Sequence, residues 1–295
     1  MATGALEAIL VSPAPWSLTG EGWIIPFHAP FSDEPVPLPE GACAPLERGS
    51  KADPSGRFHG GLGMVLVVRY ASSDVGPYDE LMYIPGLCSR PDKRTKKACE
   101  SDFALSISRI YVSTDASVAN GRRNWSIPKH RAVFDFSTSS SGRTTLSVSH
   151  PSSPLTPFFR CALRPSRLMP VALPVRTSWL SSRVARACMA GYAPALVQPP
   201  LPGATSQTSD VQETGQRIDA LVASEKAYRV EPSASGWARA LVVEPFPEDD
   251  DERDWSRFGD GVSFPKFQPC GSRMSVQVQG LEMGFPVPEE LDGWV

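Results

Sequence analysis

Proline recurs thirty times along this chain, and together with 23 glycines it divides the sequence into short segments. An interior proline removes a backbone donor and clashes with the preceding helical turn, so the chain reads as a succession of turns and short elements rather than a helical bundle. Between these breaks lie apolar runs rich in β-branched and aromatic residues. Residues 64–70 (MVLVVRY) and 80–84 (ELMYI) flank a Gly76-Pro77 turn signal, and 103–113 (FALSISRIYVS) alternates as a strand does. Residues 131–136 (RAVFDF) and 144–149 (TTLSVS) flank a Ser/Gly-rich turn at 137–142 and predict a hairpin. Further strands are expected within 158–163, 187–197, 237–243 and 274–283. The spacing predicts a mostly antiparallel, closed or nearly closed β structure with few helices. The clearest helical window is 211–226, where Val211, Ile218, Leu221 and Val222 share a face that Gly215 weakens.

With 295 residues the length fits one large β domain or two small ones. We read a single domain, 1–295, whose first sixty residues, with Pro13–Pro15 and Pro35–Pro39, form a wrapping arm. A net charge of −3 provides no broad basic field for phosphates, which argues against nucleic acid and for a small organic ligand. No run approaches the ~20 apolar residues of a membrane span, and the apolar stretch 5–11 has neither a basic residue before it nor a clear cleavage site. A soluble, cytoplasmic protein without membrane contact is therefore expected.

Six cysteines (Cys43, Cys88, Cys99, Cys161, Cys188, Cys270) contain no C-x-x-C pair and read as reduced core residues, although Cys88 and Cys99 could bridge a loop. The acidic run 249–254 (DDDERD) lacks the ligand order of a calcium loop and reads as solvated surface, as does the basic stretch 89–97 with Lys93, Lys96 and Lys97. No metal site is expected.

Chemistry concentrates in 109–136 (RIYVSTDASVANGRRNWSIPKHRAVFDF). A strand ends near Ser113, a connection leads to Asn120-Gly121-Arg122, and Pro128-Lys129 runs directly into another strand. Proline fixes its own φ and restricts Ile127 to extended geometry, so Lys129 leaves from a stiff backbone. A free lysine, with a pKa of about 10.4, is only a few parts in ten thousand neutral at pH 7, so a nucleophilic Lys129 needs desolvation or a neighbouring cation. Trp125, Ile127, Val133 and Phe134 could supply apolar surroundings, and Arg122, Arg123, Arg131 and protonated His130 could supply charge. Such an arrangement suits imine formation with a carbonyl substrate. Taken alone, Lys129 reads better as an ordinary strand-end lysine whose stem packs on Trp125 and whose head stays in water. His130, adjacent on an extended segment, is expected to face the opposite way. Lys266, in the similar context Phe264-Pro265-Lys266, lacks the upstream Gly-Arg and ranks second.

These segments resemble acetoacetate decarboxylase in the tyrosine-bearing strand, in the Gly121-Arg122 pair, and in Pro128-Lys129, with Lys129 eight residues after the glycine. Gly76-Pro77-Tyr78-Asp79-Glu80 is similar to the segment that carries the family's active-site glutamate. The resemblance covers roughly residues 60–150. It implies an α+β fold built as a conical closed β-barrel, homo-oligomers, and a lysine imine as electron sink with no metal or organic cofactor. Lys129 and Glu80 become the candidate catalytic residues, and Arg122, Tyr78, Tyr111, Trp125 and Ile127 the candidate substrate-binding residues. The implied activity is that of a lyase on a keto or β-keto acid, most simply a decarboxylase. Aldolase, dehydratase or cyclase chemistry on the same imine is the alternative, as is a non-catalytic barrel that binds an apolar carbonyl ligand, or one that serves assembly alone. The chain departs from the family where His130 follows Lys129 in place of a second lysine, where Arg123 follows Arg122, and where no arginine stands in 20–27. These departures count against acetoacetate itself as the substrate.

Overall fold

A computed structural model describes residues 8–90, 103–167, 171–180, 195–205, 208–244, 246, 258–270, 275–292 and 294. The acidic run 249–254, Lys93, Lys96, Lys97, Cys99, Cys188 and most of the strand expected at 187–197 lie outside the described residues. In chain order the strands are β1 (Trp16–Ala29), β2 (Phe58–Ser72), β3 (Tyr78–Ile84), β4 (Leu87–Ser89), β5 (Phe103–Leu105), β6 (Arg109–Val112), β7 (Lys129–Arg131) and β8 (Val133–Thr138). They continue as β9 (Thr144–Ser149), β10 (Pro157–Pro165), β11 (Leu173–Arg176), β12 (Leu196–Gln198), β13 (Ala227–Val230), β14 (Ser233–Glu244), β15 (Ser275–Phe285) and β16 (Glu289–Leu291). Helix α1 (Asp115–Trp125) lies between β6 and β7.

The main sheet runs β7-β6-β3-β2-β1-β15-β14-β10-β9-β8, antiparallel throughout except for the parallel β6–β7 pair. Its two ends, β7 and β8, are consecutive in the chain, separated by Ala132 alone. No ladder among the described residues joins them, so the expected closed barrel is not made by hydrogen bonds. The amide of Ala132 is committed instead to the carbonyl of Val112 on β6. A smaller arm of sheet continues from the start of β2 through β4, β5, β12, β13 and β16. The first sixty residues contribute β1 to the main sheet, between β2 and β15.

Most expected strands are present, but two helical expectations are corrected. In the window 211–226 the α-helix is confined to Ser209–Thr214, after which Gly215 takes φ +71°, a left-handed conformation suited to glycine that ends it, and only a single 3-10 turn follows at Ile218–Ala220. The connection through Asn120-Gly121-Arg122 is the helix α1. A parallel pair cannot be joined by a hairpin and needs a crossover, which α1 supplies between β6 and β7. Among the described residues no helix is long and apolar enough to cross a membrane.

Side chains alternate across the sheet and so feed two cores. Val68, Met82, Ile110 and Val112 pack on one face with Val118, Ala119 and Trp125 of α1. Val65, Val67, Leu81, Tyr83 and Tyr111 pack on the other with Trp23, Phe159 and Phe264. This parity decides which polar residues can meet: the even-numbered positions of β2 and β3 and the first residue of β7 look toward α1.

Candidate active site

Lys129 opens β7 through a tightly specified turn. Thr114 caps α1 by accepting from the Ser117 amide, and Ser126 ends it at φ 52° in the left-handed region. The Ser126 amide returns to the Arg122 carbonyl in an αL closure, and the Ile127 amide reaches back to the Gly121 carbonyl. Serine is uncommon at such a φ, and here its hydroxyl is held by Ser224 and by the carbonyl of Lys226, both at 2.7 Å. The Lys129 amide then donates to Ile127 at 2.7 Å, closing a three-residue turn about Pro128. The stiff Pro-Lys exit expected from sequence is thereby realised.

Lys129 is 4% exposed. Its Nζ donates to Glu80 Oε2 at 2.8 Å, to Ser117 Oγ at 3.2 Å and to Tyr78 Oη at 3.5 Å. Glu80 sits on β3, with β6 between it and β7. Two strand spacings amount to about 9–10 Å, a gap that only a long side chain such as lysine spans to reach a carboxylate. Tyr70 Oη donates to Glu80 Oε1 at 3.4 Å, and Ser117 also hydrogen-bonds Tyr78. Each polar atom of the pair thus has partners, as a buried ion pair requires.

Burial is the largest influence on the Lys129 amine and pulls its pKa down. The charge of Glu80, the nearby Tyr78 and their hydrogen bonds outweigh it, and the amine ends above the ordinary lysine value. This direction is opposite to the neutral amine expected from sequence and favours an ammonium paired with Glu80. Burial pushes the Tyr78 phenol up to about 12, and the phenol of Tyr70 is also well above its usual value, first through burial and then through Glu80.

The cations expected around the amine are engaged elsewhere. Arg122 is fully buried, and its Nη1 donates to Glu47 Oε1 at 2.8 Å and to the Lys129 carbonyl at 3.4 Å. Its other nitrogens hold the carbonyls of Val222 and Pro202 at 2.9 and 2.6 Å. His130, pointing away from Lys129 as extended geometry requires, is 2.8 Å from the other oxygen of Glu47. Burial raises Glu47, but the charges of His130 and Arg122 and their hydrogen bonds prevail and hold its carboxyl down at about 2. Arg123 is exposed, and Arg131 lies 3.9 Å from Asp115.

Of the residues singled out from sequence, the fold brings together Lys129, Glu80 and Tyr78. Tyr111 is not among them. It pairs in register with His130, not Lys129, so it lies on the opposite face, where its hydroxyl meets Arg109 and the Ser263 carbonyl. Trp125 is a core residue that donates to the Pro286 carbonyl and packs edge-on against Trp16. Ile127 is buried in the same core, whereas Val133 is exposed. Lys266 is exposed. Tyr70 and Ser117 were missed: Tyr70 is an unremarked member of the 64–70 strand, and Ser117 reaches the amine only because α1 exists.

A cleft of about 730 Å³ opens beside this group, lined in part by Glu21, Arg69, Tyr70, Tyr78, Asp79 and Glu282. Tyr70 and Tyr78 belong to both, since they line the cleft and touch the buried pair with their hydroxyls. Arg69 pairs with Asp79 across the cleft wall at 3.2 Å. Among the described residues no group of three or more histidine, cysteine, aspartate and glutamate side chains is placed to hold a metal ion. Cys43, Cys88 and Cys161 are buried free thiols, and burial raises Cys43 to about 12 and Cys88 to about 11.

No protein-family model matches the sequence, and no curated relative does. Among solved structures the chain is similar to an acetoacetate decarboxylase at 9% identity, over 95% of this chain and 91% of that one, with a TM-score of 0.50. It is also similar to acetoacetate decarboxylase from Legionella pneumophila (13% identity, 99% and 92% of the two chains, TM-score 0.47). A third is an acetoacetate decarboxylase-like enzyme from Sphingomonas wittichii (12% identity, 96% and 94%, TM-score 0.49). At these identities the likeness concerns architecture: the chain has a fold like that of acetoacetate decarboxylase.

Proposed function

We propose that this chain is a divergent member of the acetoacetate decarboxylase superfamily, acting through a lysine imine on a keto or β-keto acid. The observation that carries this reading is the Lys129 amine, buried and 2.8 Å from the Glu80 carboxylate, behind tyrosines that line an open cleft. An ammonium does not attack a carbonyl, so the first step is transfer of one Lys129 proton to Glu80 along their existing hydrogen bond. The freed amine adds to the substrate carbonyl carbon. Glu80 returns the proton to the carbinolamine oxygen, water departs, and a protonated imine remains.

In a β-keto acid the bond to the carboxylate carbon then breaks, its electron pair flows into the iminium, and carbon dioxide leaves. Protonation of the resulting enamine carbon and hydrolysis of the imine release the ketone and restore Lys129. Tyr70 and Tyr78, both with raised phenol pKa values, remain protonated through this cycle and serve as hydrogen-bond donors at the boundary between cleft and ion pair.

Borohydride reduction in the presence of a β-keto acid, followed by peptide mapping, tests the assignment. The expected result is a reduced adduct on Lys129, lost in Lys129→Ala and retained in Lys266→Ala. Saturable binding without an adduct overturns the enzyme reading in favour of a carbonyl-binding carrier.

A further inference from the structure

Gly121 lies in the interior of α1, where glycine is among the least favourable residues. It is not one of the glycines with positive φ, so backbone conformation does not call for it. Space does: a Cβ on residue 121 would stand 2.5 Å from Cδ and 2.8 Å from Cε of Lys129. Ser117, one turn earlier on the same helix face, meets the Lys129 Nζ at 3.2 Å. The lysine stem therefore runs along one turn of α1, from the gap left by Gly121 to the hydroxyl of Ser117.

The stem has little freedom to take another path. At its root the Lys129 amide is held by Ile127 and its carbonyl by Arg122 Nη1. At its tip Nζ is held by Glu80 and Ser117. With both ends fixed, pushing Cδ and Cε off the helix moves the amine itself. We propose that Gly121 is a positioning residue for Lys129, its missing side chain forming the groove that aims the amine at Glu80 and at an incoming carbonyl. The catalytic half of this proposal rests on the imine reading above, while the packing half stands independently of it.

A double-mutant cycle separates the two. Gly121→Ala is made in the natural chain and in a Lys129→Ala/Glu80→Gln background, which removes the stem without leaving a buried charge unpaired. Thermal unfolding and the rate of borohydride-trapped adduct formation with a β-keto acid are measured. Without the stem, alanine fits and favours the helix, so the melting temperature rises. With the stem present it falls, and adduct formation at Lys129 slows by about 100-fold, the scale set by ångström misplacement of a reacting group. Failure of Gly121→Ala to fold in the natural chain, beside normal folding of the triple variant, reports the same clash.

A melting temperature that rises in both backgrounds, or an unchanged trapping rate, overturns the proposal. If the natural chain forms no adduct at all, the imine reading falls, and opposite signs in the unfolding cycle still uphold the groove.

Discussion

The Lys129 ammonium exists because Glu80 offsets its burial, and that balance makes the charge state of the site depend on one carboxylate. A lysine whose folded pKa is raised contributes stability fully present below the unfolded lysine pKa and lost as pH rises through the folded one. Its nucleophilicity has the opposite dependence, so adduct formation in the natural chain is expected to climb with pH into and beyond the ordinary lysine range. Glu80→Gln removes the stabilising charge and leaves burial dominant, which moves the midpoint of that climb to lower pH. The same substitution orphans a buried cation, at a cost of about 3–5 kcal/mol in chemical denaturation. Trapping rates measured against pH for both proteins check the direction, and an unmoved midpoint would show that Glu80 does not govern the amine. Lys129, Glu80 and Tyr78 were legible in sequence because two short segments carry them in recognisable order. Tyr111 was misplaced by a single step of register, because strand parity depends on a β6–β7 pairing that no local pattern announces.

At the scale of elements, the feature that sequence reading missed is α1, and it is the one on which the site turns. Asn120-Gly121 looks like a turn when read locally, and the apolar positions Val118, Ala119 and Trp125 are too few to advertise a helical face. The helix exists because β6 and β7 run parallel and because both of its ends are closed, the first by the Thr114 side chain and the last by the Ser126 and Ile127 amides. Thr114 caps the first turn with Asp115 beside it, and Ser126 holds the left-handed exit. Conversely, the 211–226 window showed a plausible face and yielded only the short helix Ser209–Thr214 and a 3-10 turn at Ile218–Ala220, because Gly215 packs against Ser152 in a left-handed conformation. The strands were more legible, since alternation and turn residues are local signals, whereas crossover connections are set by distant pairings. Thr114→Ala removes the Ser117 amide's partner at the helix start and is expected to lower stability by about 1 kcal/mol. Because Ser117 also supports Nζ, the variant should slow adduct formation as well; urea unfolding and trapping rates on the same preparation test both effects.

Across the whole molecule, the buried cluster of Glu47, Arg122 and His130 joins parts of the chain far apart in sequence. Glu47 comes from the irregular segment between β1 and β2, Arg122 from α1 and His130 from β7, while Arg122 also holds the carbonyls of Pro202 and Val222. The cluster fastens the rear of β7 to three distant segments while Lys129 occupies the front. No sequence pattern disclosed it, because Glu47 is an ordinary-looking carboxylate in a proline-rich stretch and gains its partners only when the sheet forms. Its energetics have a definite sign. Glu47 is depressed from 4.5 to about 2, so its contribution is fully present above the unfolded carboxylate pKa and lost as pH falls through the folded one. Acid should therefore loosen the fold chiefly between about pH 4.5 and 2. Glu47→Gln, which retains shape and loses charge, is expected to be less stable at pH 7 by about 3–5 kcal/mol, the range for breaking one side of a buried pair. Its stability should also vary less with pH across that window than the natural chain's, because the group responsible has gone. Denaturant midpoints at a series of pH values for the two proteins decide the matter: parallel curves would mean that the acid sensitivity of the fold resides elsewhere than in this carboxylate.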